Sequence, residues 1–228
     1  HIDPSEVGRT LIVLSKAGLL TEANRAIVVA SLKTANPSNG LILLNQAKIL
    51  DQTNFEAILA HEEPSEVAGA FIVLSKAGLL TEANRALVAA NSNEENLRYA
   101  LSLLHEAQIL TQENFEAIVA LRNPSNSVEA FIVLSQKGML TEANRVLVAA
   151  NSDKENLGYA LSQLNKAQIL TQENFETIVT HRDPCHLVEA FVVLFQEEIL
   201  TEANRALVAA NSNVGDLTYA LSRLNEEE

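Results

Sequence analysis

Written in rows of thirty residues, the chain brings nearly every column into register without gaps, and rows of sixty align better still. A sequence with that rhythm does not build one irregular core. Each row supplies a small unit that buries its apolar face against its neighbours. Leu-Thr-Glu-Ala-Asn-Arg recurs at 20–25, 80–85, 140–145 and 200–205. Between these copies stands a second version, Ile-Leu-Asp-Gln-Thr-Asn-Phe-Glu at 49–56, then Ile-Leu-Thr-Gln-Glu-Asn-Phe-Glu at 109–116 and 169–176. The rows therefore alternate between two kinds, odd and even. They divide the chain into 1–30, 31–60, 61–90, 91–120, 121–150, 151–180, 181–210 and a partial 211–228, expected to form a single repeat domain.

Within a row the apolar columns follow the i, i+3, i+4, i+7 spacing of one buried helical face. Leucine fills one column in all eight rows, at Leu14, Leu44, Leu74, Leu104, Leu134, Leu164, Leu194 and Leu224. The column three residues earlier is Leu or Phe, as in Leu41, Phe71, Leu101 and Phe131, and the one before that is small, mostly Ala with Thr10 and Gly40. Small residues there let neighbouring helices approach closely. The odd rows open with Asp3-Pro4, Glu63-Pro64, Asn123-Pro124 and Asp183-Pro184, a cap followed by a first-turn proline, with Glu63 the weakest cap. Even rows offer Ser92 with Glu95 and Ser152 with Glu155 at capping-box spacing. A first helix should end near Gly18, Gly78 and Gly138, where left-handed backbone is cheapest. A second start signal follows at Thr21, Asp51, Thr81, Thr111, Thr141, Thr171 and Thr201 and opens a helix of about ten residues, too short to persist without packing. The fold class that results is all-α: an α-solenoid of thirty-residue αα-hairpins, paired in sixties.

Composition narrows the function. Apolar residues make up 47% of the chain with no Trp, so the core is Leu, Ala, Val and Ile, which suits close helix packing. The formal charge of −13 is spread along the chain, which disfavours nucleic acid and anionic membrane and leaves a basic protein surface as a partner. No apolar run reaches the length of a membrane span and no secretory signal stands at the start, so no membrane insertion is expected. Cys185 replaces the serines at 5, 65 and 125 and reads as structural or neutral; a single cysteine fits a reducing, cytoplasmic compartment. The pattern is already running at residue 1 and stops before a last second helix, as in a segment of a longer protein, and open ends of such an array could self-associate.

Catalytic signatures are missing, so no enzyme activity and no cofactor is expected. His181, Cys185 and His186 are a conceivable metal site, but they read better as a polar loop between helices. Asn24, Asn54, Asn84, Asn114, Asn144, Asn174 and Asn204 form a column whose amides return to the helix start and tie row to row. The next column alternates in kind: Arg25, Arg85, Arg145 and Arg205 against Phe55, Phe115 and Phe175. The arginines either lay their stems over the seam and pair with Glu22, Glu82, Glu142 or Glu202, or form a ladder facing a partner's carboxylates or phosphates. All three tyrosines, Tyr99, Tyr159 and Tyr219, share one even-row column. They are interface anchors or packing between helices. Equivalent residues two units along should lie roughly 16–20 Å apart, too far for one small substrate to touch both, but within reach of a protein face.

The Leu-Thr-Glu-Ala-Asn-Arg and Ala-Gln-Ile-Leu-Thr-Gln-Glu-Asn-Phe-Glu segments, following an Ala-Leu-Ser-x-Leu helix, resemble the degenerate α-helical repeats of secreted effector proteins from Legionella-type intracellular bacteria. The resemblance covers the whole chain and carries over no functional residue. It implies secretion into a host cell and a host-protein-binding or substrate-recruiting role. The thirty-residue length and Asp3-Pro4 and Asp183-Pro184 are also similar to short HEAT-like repeats, from which the Leu-Thr-x-x-Asn hairpin departs. The expected function is a protein-protein interaction scaffold read through the Tyr and Arg columns. The alternative is a substrate-recruiting or spacer arm of an enzyme whose catalytic domain lies outside the segment. The last full odd row departs most from its siblings, with Leu187, Phe195, Glu197 and Glu198, and is where a unique contact is expected.

Overall fold

The computed structural model describes residues 4–32, 37–91, 94–154, 156–211, 213–217 and 219. The chain divides into two compact units, His1–Ala120 and Leu121–Glu228. The first holds α1 (Pro4–Lys16), α2 (Glu22–Ser31), α3 (Ser38–Gln46), α4 (Gln52–Leu59), α5 (Pro64–Lys76), α6 (Glu82–Ala90), α7 (Glu94–Glu106) and α8 (Gln112–Val119). The second holds α9 (Pro124–Gln136), α10 (Glu142–Ala149), α11 (Leu157–Lys166), α12 (Gln172–Thr180), α13 (Pro184–Gln196) and α14 (Glu202–Ala209). The described residues are helical with no strand. Helices stack in chain order: α1 on α3, α3 on α5 and α5 on α7 in the first unit, and α9 on α11 and α11 on α13 in the second. This sequential stacking of hairpins is the α-solenoid arrangement.

The first helices carry the packing. Leu14, Leu44, Leu74, Leu104, Leu134 and Leu164 are fully buried and Leu194 nearly so. Phe71, Phe131 and Phe191 lie buried beside them. The small column works as spacing predicts: a Cβ on Gly40 would stand 2.6 Å from the Pro64 carbonyl oxygen, so α3 and α5 approach backbone to backbone there. Thr10, the polar exception, is buried but bonded to Ser38 at 2.8 Å, and Ser38 donates on to the Glu6 carbonyl at 3.2 Å.

Every described first helix that ends in a hairpin turns the same corner. The amide two residues past the cap donates back to the helix, as in Leu19 to Leu14 at 2.8 Å, Leu79 to Leu74 at 2.8 Å and Ile109 to Leu104 at 2.9 Å. That six-residue closure needs one left-handed residue. Gly18, Gly78 and Gly138 supply it with φ of 72°, 72° and 67°. Elsewhere Lys48, Gln108, Gln168 and Glu198 adopt φ of 57–61° with a side chain attached. The second helices then start on the expected caps: Thr21 Oγ1 accepts from the Asn24 amide at 3.1 Å, and Asp51 Oδ1 from Asn54 at 2.7 Å.

Two expected starts differ. Asp183 caps α13 by accepting from the His186 amide at 3.2 Å, but Asn123 makes no side-chain cap, and α9 relies on Pro124 at its first turn. Ser152 does not open α11. Residues 151–154 form a turn closed by Lys154 N to Asn151 O at 3.1 Å, and the helix begins at Leu157 after Asn156 in the left-handed region at φ 62°. The Lys154 ammonium instead donates to the Val179 carbonyl at 2.7 Å, near the end of α12, where a cation suits the exposed carbonyls. Burial holds its pKa below the usual lysine range although Asp153 opposes the shift. His1, Asp3, Ser92, Glu155 and Leu224, and the side chain of Glu95, lie outside the described residues.

Candidate functional site

The second helices are short because each is held at its start and along one face only. In α2 the buried set is Asn24, Val28 and Ser31; in α4 it is Asn54, Phe55 and Ile58. The Asn column ties both levels as the sequence implies. Asn24 donates to the Leu19 carbonyl at 2.8 Å, closing its own hairpin, and exchanges two amide bonds with Gln52 of the next hairpin at 2.9 and 3.0 Å. Asn84 with Gln112 and Asn144 with Gln172 repeat this clasp. In the even rows Asn54 and Asn174 donate to Ile49 and Ile169, but their buried Oδ1 atoms have no partner among the described residues. The following odd helix offers Glu82 or Glu202 where Gln would stand, and a carboxylate does not donate.

The alternating column divides by burial. Phe55, Phe115 and Phe175 are fully buried, whereas Arg25 is exposed and Arg85, Arg145 and Arg205 are half-buried. Arg205 pairs with Glu173 of α12, the preceding second helix, rather than with Glu202 one turn back. Arg145 donates to the Leu140 carbonyl at 3.4 Å, and Arg85 shields its Nε from solvent with no acceptor for it among the described residues. The tyrosines stand out from the first-helix layer: Tyr99 is 50%, Tyr159 49% and Tyr219 67% exposed. About half or more of each residue meets solvent, so none of the three is buried between helices.

A feature not singled out from the sequence lies on the second helices. Ala23, Ala26, Ile27 and Ala30 of α2 form a further i, i+3, i+4, i+7 set, and all four face solvent. The set recurs as Ala83, Ala86, Leu87 and Ala90 of α6; its large members Ile27 and Leu87 are 39% and 40% exposed. In the second unit Val146 and Leu207 occupy the same stripe at 63% and 72%. Even-row helices break the apolar surface with exposed glutamates, and Glu56, Glu116 and Glu176 each accept from the clasp glutamine at 2.7–2.8 Å. The signal was present as a second apolar period in each odd short helix; alanine's low hydrophobic weight concealed it.

The expected site of a unique contact also has structure. His181, Arg182, Asp183 and His186 line a pocket of about 500 Å³ with Asn211, Asn213, Val214 and Gly215. His181 Nδ1 accepts from the Asp183 amide at 3.0 Å, and His186 Nδ1 lies 2.6 Å from Asp183 Oδ2. That bond, with the Asp183 charge, raises the His186 pKa above the ordinary imidazole value. Burial pushes the Asp183 carboxyl upward, but the His186 hydrogen bonds and charge outweigh it and leave the pKa lowered. The Cys185 thiol is pushed up by burial, then by Asp183 and Glu189, which makes it a poor thiolate source. Among the described residues no group of three or more His, Cys, Asp and Glu is placed to hold a metal ion, and no helix is long and apolar enough to cross a membrane. Compared with known proteins, the chain matches no family model and no curated protein to a significant degree.

Proposed function

We propose that the chain is a protein-interaction scaffold, an effector module that engages a host protein through its repeated surface. The observation that carries this reading is the tyrosine column, 49–67% exposed at its three positions. Half-exposed Tyr and Arg each have the chemistry of interface anchors, since both bury large, partly polar groups at modest entropic cost. Arg25 and Arg85 belong to helices two apart in one unit, so they meet a partner roughly 16–20 Å apart, which suits a protein face. The host setting rests on the likeness of the Leu-Thr-Glu-Ala-Asn-Arg hairpins to bacterial effector repeats.

The test is affinity capture from host lysate with the chain as bait, followed by the same capture with Arg85, Arg145, Tyr99 and Tyr159 changed to Ala. Loss of the captured partner with unchanged helicity is expected. Undiminished capture would remove these columns from the interface.

A further inference from the structure

We infer that the exposed face of the second helices in the first unit, α2, α4, α6 and α8, docks a basic amphipathic helix. The inference rests on the scaffold reading and assigns the partner's chemistry on a face distinct from the first-helix tyrosines. Ile27 and Leu87 project from apolar ridges made with Ala23, Ala26 and Ala30, and with Ala83, Ala86 and Ala90. Exposed alanines around one large aliphatic residue form a shallow seat for a partner's apolar side chains. Glu56 lies on the helix between the ridges, and Glu116 lies beyond the second. Both are exposed, with one carboxylate oxygen fixed by Gln52 or Gln112 and so preorganised. The four helices carry Glu22, Glu56, Glu82, Glu113 and Glu116 against Arg25 and Arg85, and no lysine. The face is thus apolar and anionic together.

Charge complementarity selects the occupant. An anionic chain repels a second copy of itself, anionic lipid and nucleic acid, while lysine or arginine flanking an apolar stripe meets both features at once. Backbone chemistry selects its conformation. A face made of helices whose own amides and carbonyls are bonded offers no ladder to an extended strand, whereas a helix satisfies its backbone internally and presents only side chains. Packed helices lie about 8–10 Å apart, so the Ile27 and Leu87 ridges are roughly 16–20 Å apart, and at a rise of about 1.5 Å per residue a helix of some twenty residues crosses both.

The experiment uses the full chain and a labelled synthetic peptide of about twenty residues, with leucines at i, i+3, i+4, i+7 spacing and lysines elsewhere, read by fluorescence anisotropy. A second peptide carries Glu for every Lys. Saturable binding of the basic peptide that weakens with salt, and none of the acidic one, is expected. Changing Ile27→Ser with Leu87→Ser should raise Kd about tenfold, the usual effect of losing a central anchor. Glu56→Gln with Glu116→Gln, which keeps shape, should raise it several-fold, and the loop pair Glu62→Gln with Glu63→Gln should raise it less. All six positions are exposed, so circular dichroism should show an unchanged helical fold; if the serine chain misfolds, the glutamine pairs decide the matter. Absence of saturable binding, equal affinity for the acidic peptide, or equal loss from the face and loop glutamine pairs would overturn the inference. Binding that survives the serine pair in a folded chain but is lost with Tyr99→Ala and Tyr159→Ala would overturn it while leaving the scaffold reading in place. Binding at the ridges, with lysate capture insensitive to the Tyr and Arg changes, would do the reverse.

Discussion

The same substitution, asparagine to alanine, should have very different effects at two positions of one sequence column, Asn84 and Asn54. Asn84 makes three side-chain bonds: its amide donates to the Leu79 carbonyl at 2.8 Å and to Gln112 at 2.8 Å, and its oxygen accepts from Gln112 at 3.0 Å. At about 1 kcal/mol for each, Asn84→Ala should cost roughly 3 kcal/mol. Asn54 makes one, to the Ile49 carbonyl at 2.6 Å, and carries a buried oxygen without a partner among the described residues. Removing that oxygen returns about 1 kcal/mol or more of desolvation penalty, so Asn54→Ala should cost between zero and about 1 kcal/mol. Both sites are almost fully buried and both keep the cap bond to the backbone amide, so packing losses cancel in the comparison. Urea unfolding followed by circular dichroism, with the slope held common, measures the difference. A double change with Gln112→Ala should return about 1–2 kcal/mol of coupling for Asn84. Equal costs at the two asparagines would refute the reasoning.

Three further outcomes follow from local geometry. Gly40→Ala drives a methyl into the Pro64 carbonyl, a backbone group that cannot swing aside, and should destabilise by about 1–3 kcal/mol in thermal or urea unfolding. Gln108→Gly relieves a side chain held at φ 59° and should stabilise by about 0.5–1 kcal/mol, while Gly78→Ala, at φ 72° with no atom near the added methyl, should cost about 1 kcal/mol from backbone alone. The Asp183–His186 pair should support α13 only within a pH window. His186 is raised from its ordinary 6.5, so its contribution is complete below that value and lost as pH climbs through the raised pKa; Asp183 is lowered from 3.8, so its contribution is present above that value and lost as pH falls through the lowered pKa. Proton NMR titration of the imidazole checks it: Asp183→Asn should bring the His186 midpoint back toward the ordinary value.

The caps of the second helices and the glycine corners were legible because they are local. A Thr three residues before a buried Asn determines where a helix starts whatever surrounds it, and a glycine after the last apolar residue marks the corner. What was not legible depends on neighbours. Lys48, Gln108, Gln168 and Glu198 take the same left-handed corner as the glycines, since packing on either side overrides a local penalty of about 1 kcal/mol. Ser152 and Glu155 have the spacing of a cap, yet the helix starts at Leu157, with Lys154 drawn off to the Val179 carbonyl. Arg205 had a glutamate one turn back and took one on the adjacent helix. For the site, how far the tyrosines are exposed depends on how neighbouring helices cover them, which their column does not state. The apolar ridges of the short helices lay unread because alanine gives a weak signal on either face.

The amide clasp has a consequence for how such an array can change length. Excising residues 31–90 would bring Asn24 against Gln112 and restore the same two-bond pairing. Excising residues 31–60 would set Asn24 opposite Glu82 and strand its carbonyl oxygen as that of Asn54 is stranded now, which loses one clasp and breaks the alternation of clasped and unclasped junctions. Gain and loss of material should therefore proceed in double steps, with single steps selected against by the hydrogen-bonding arithmetic of one side chain.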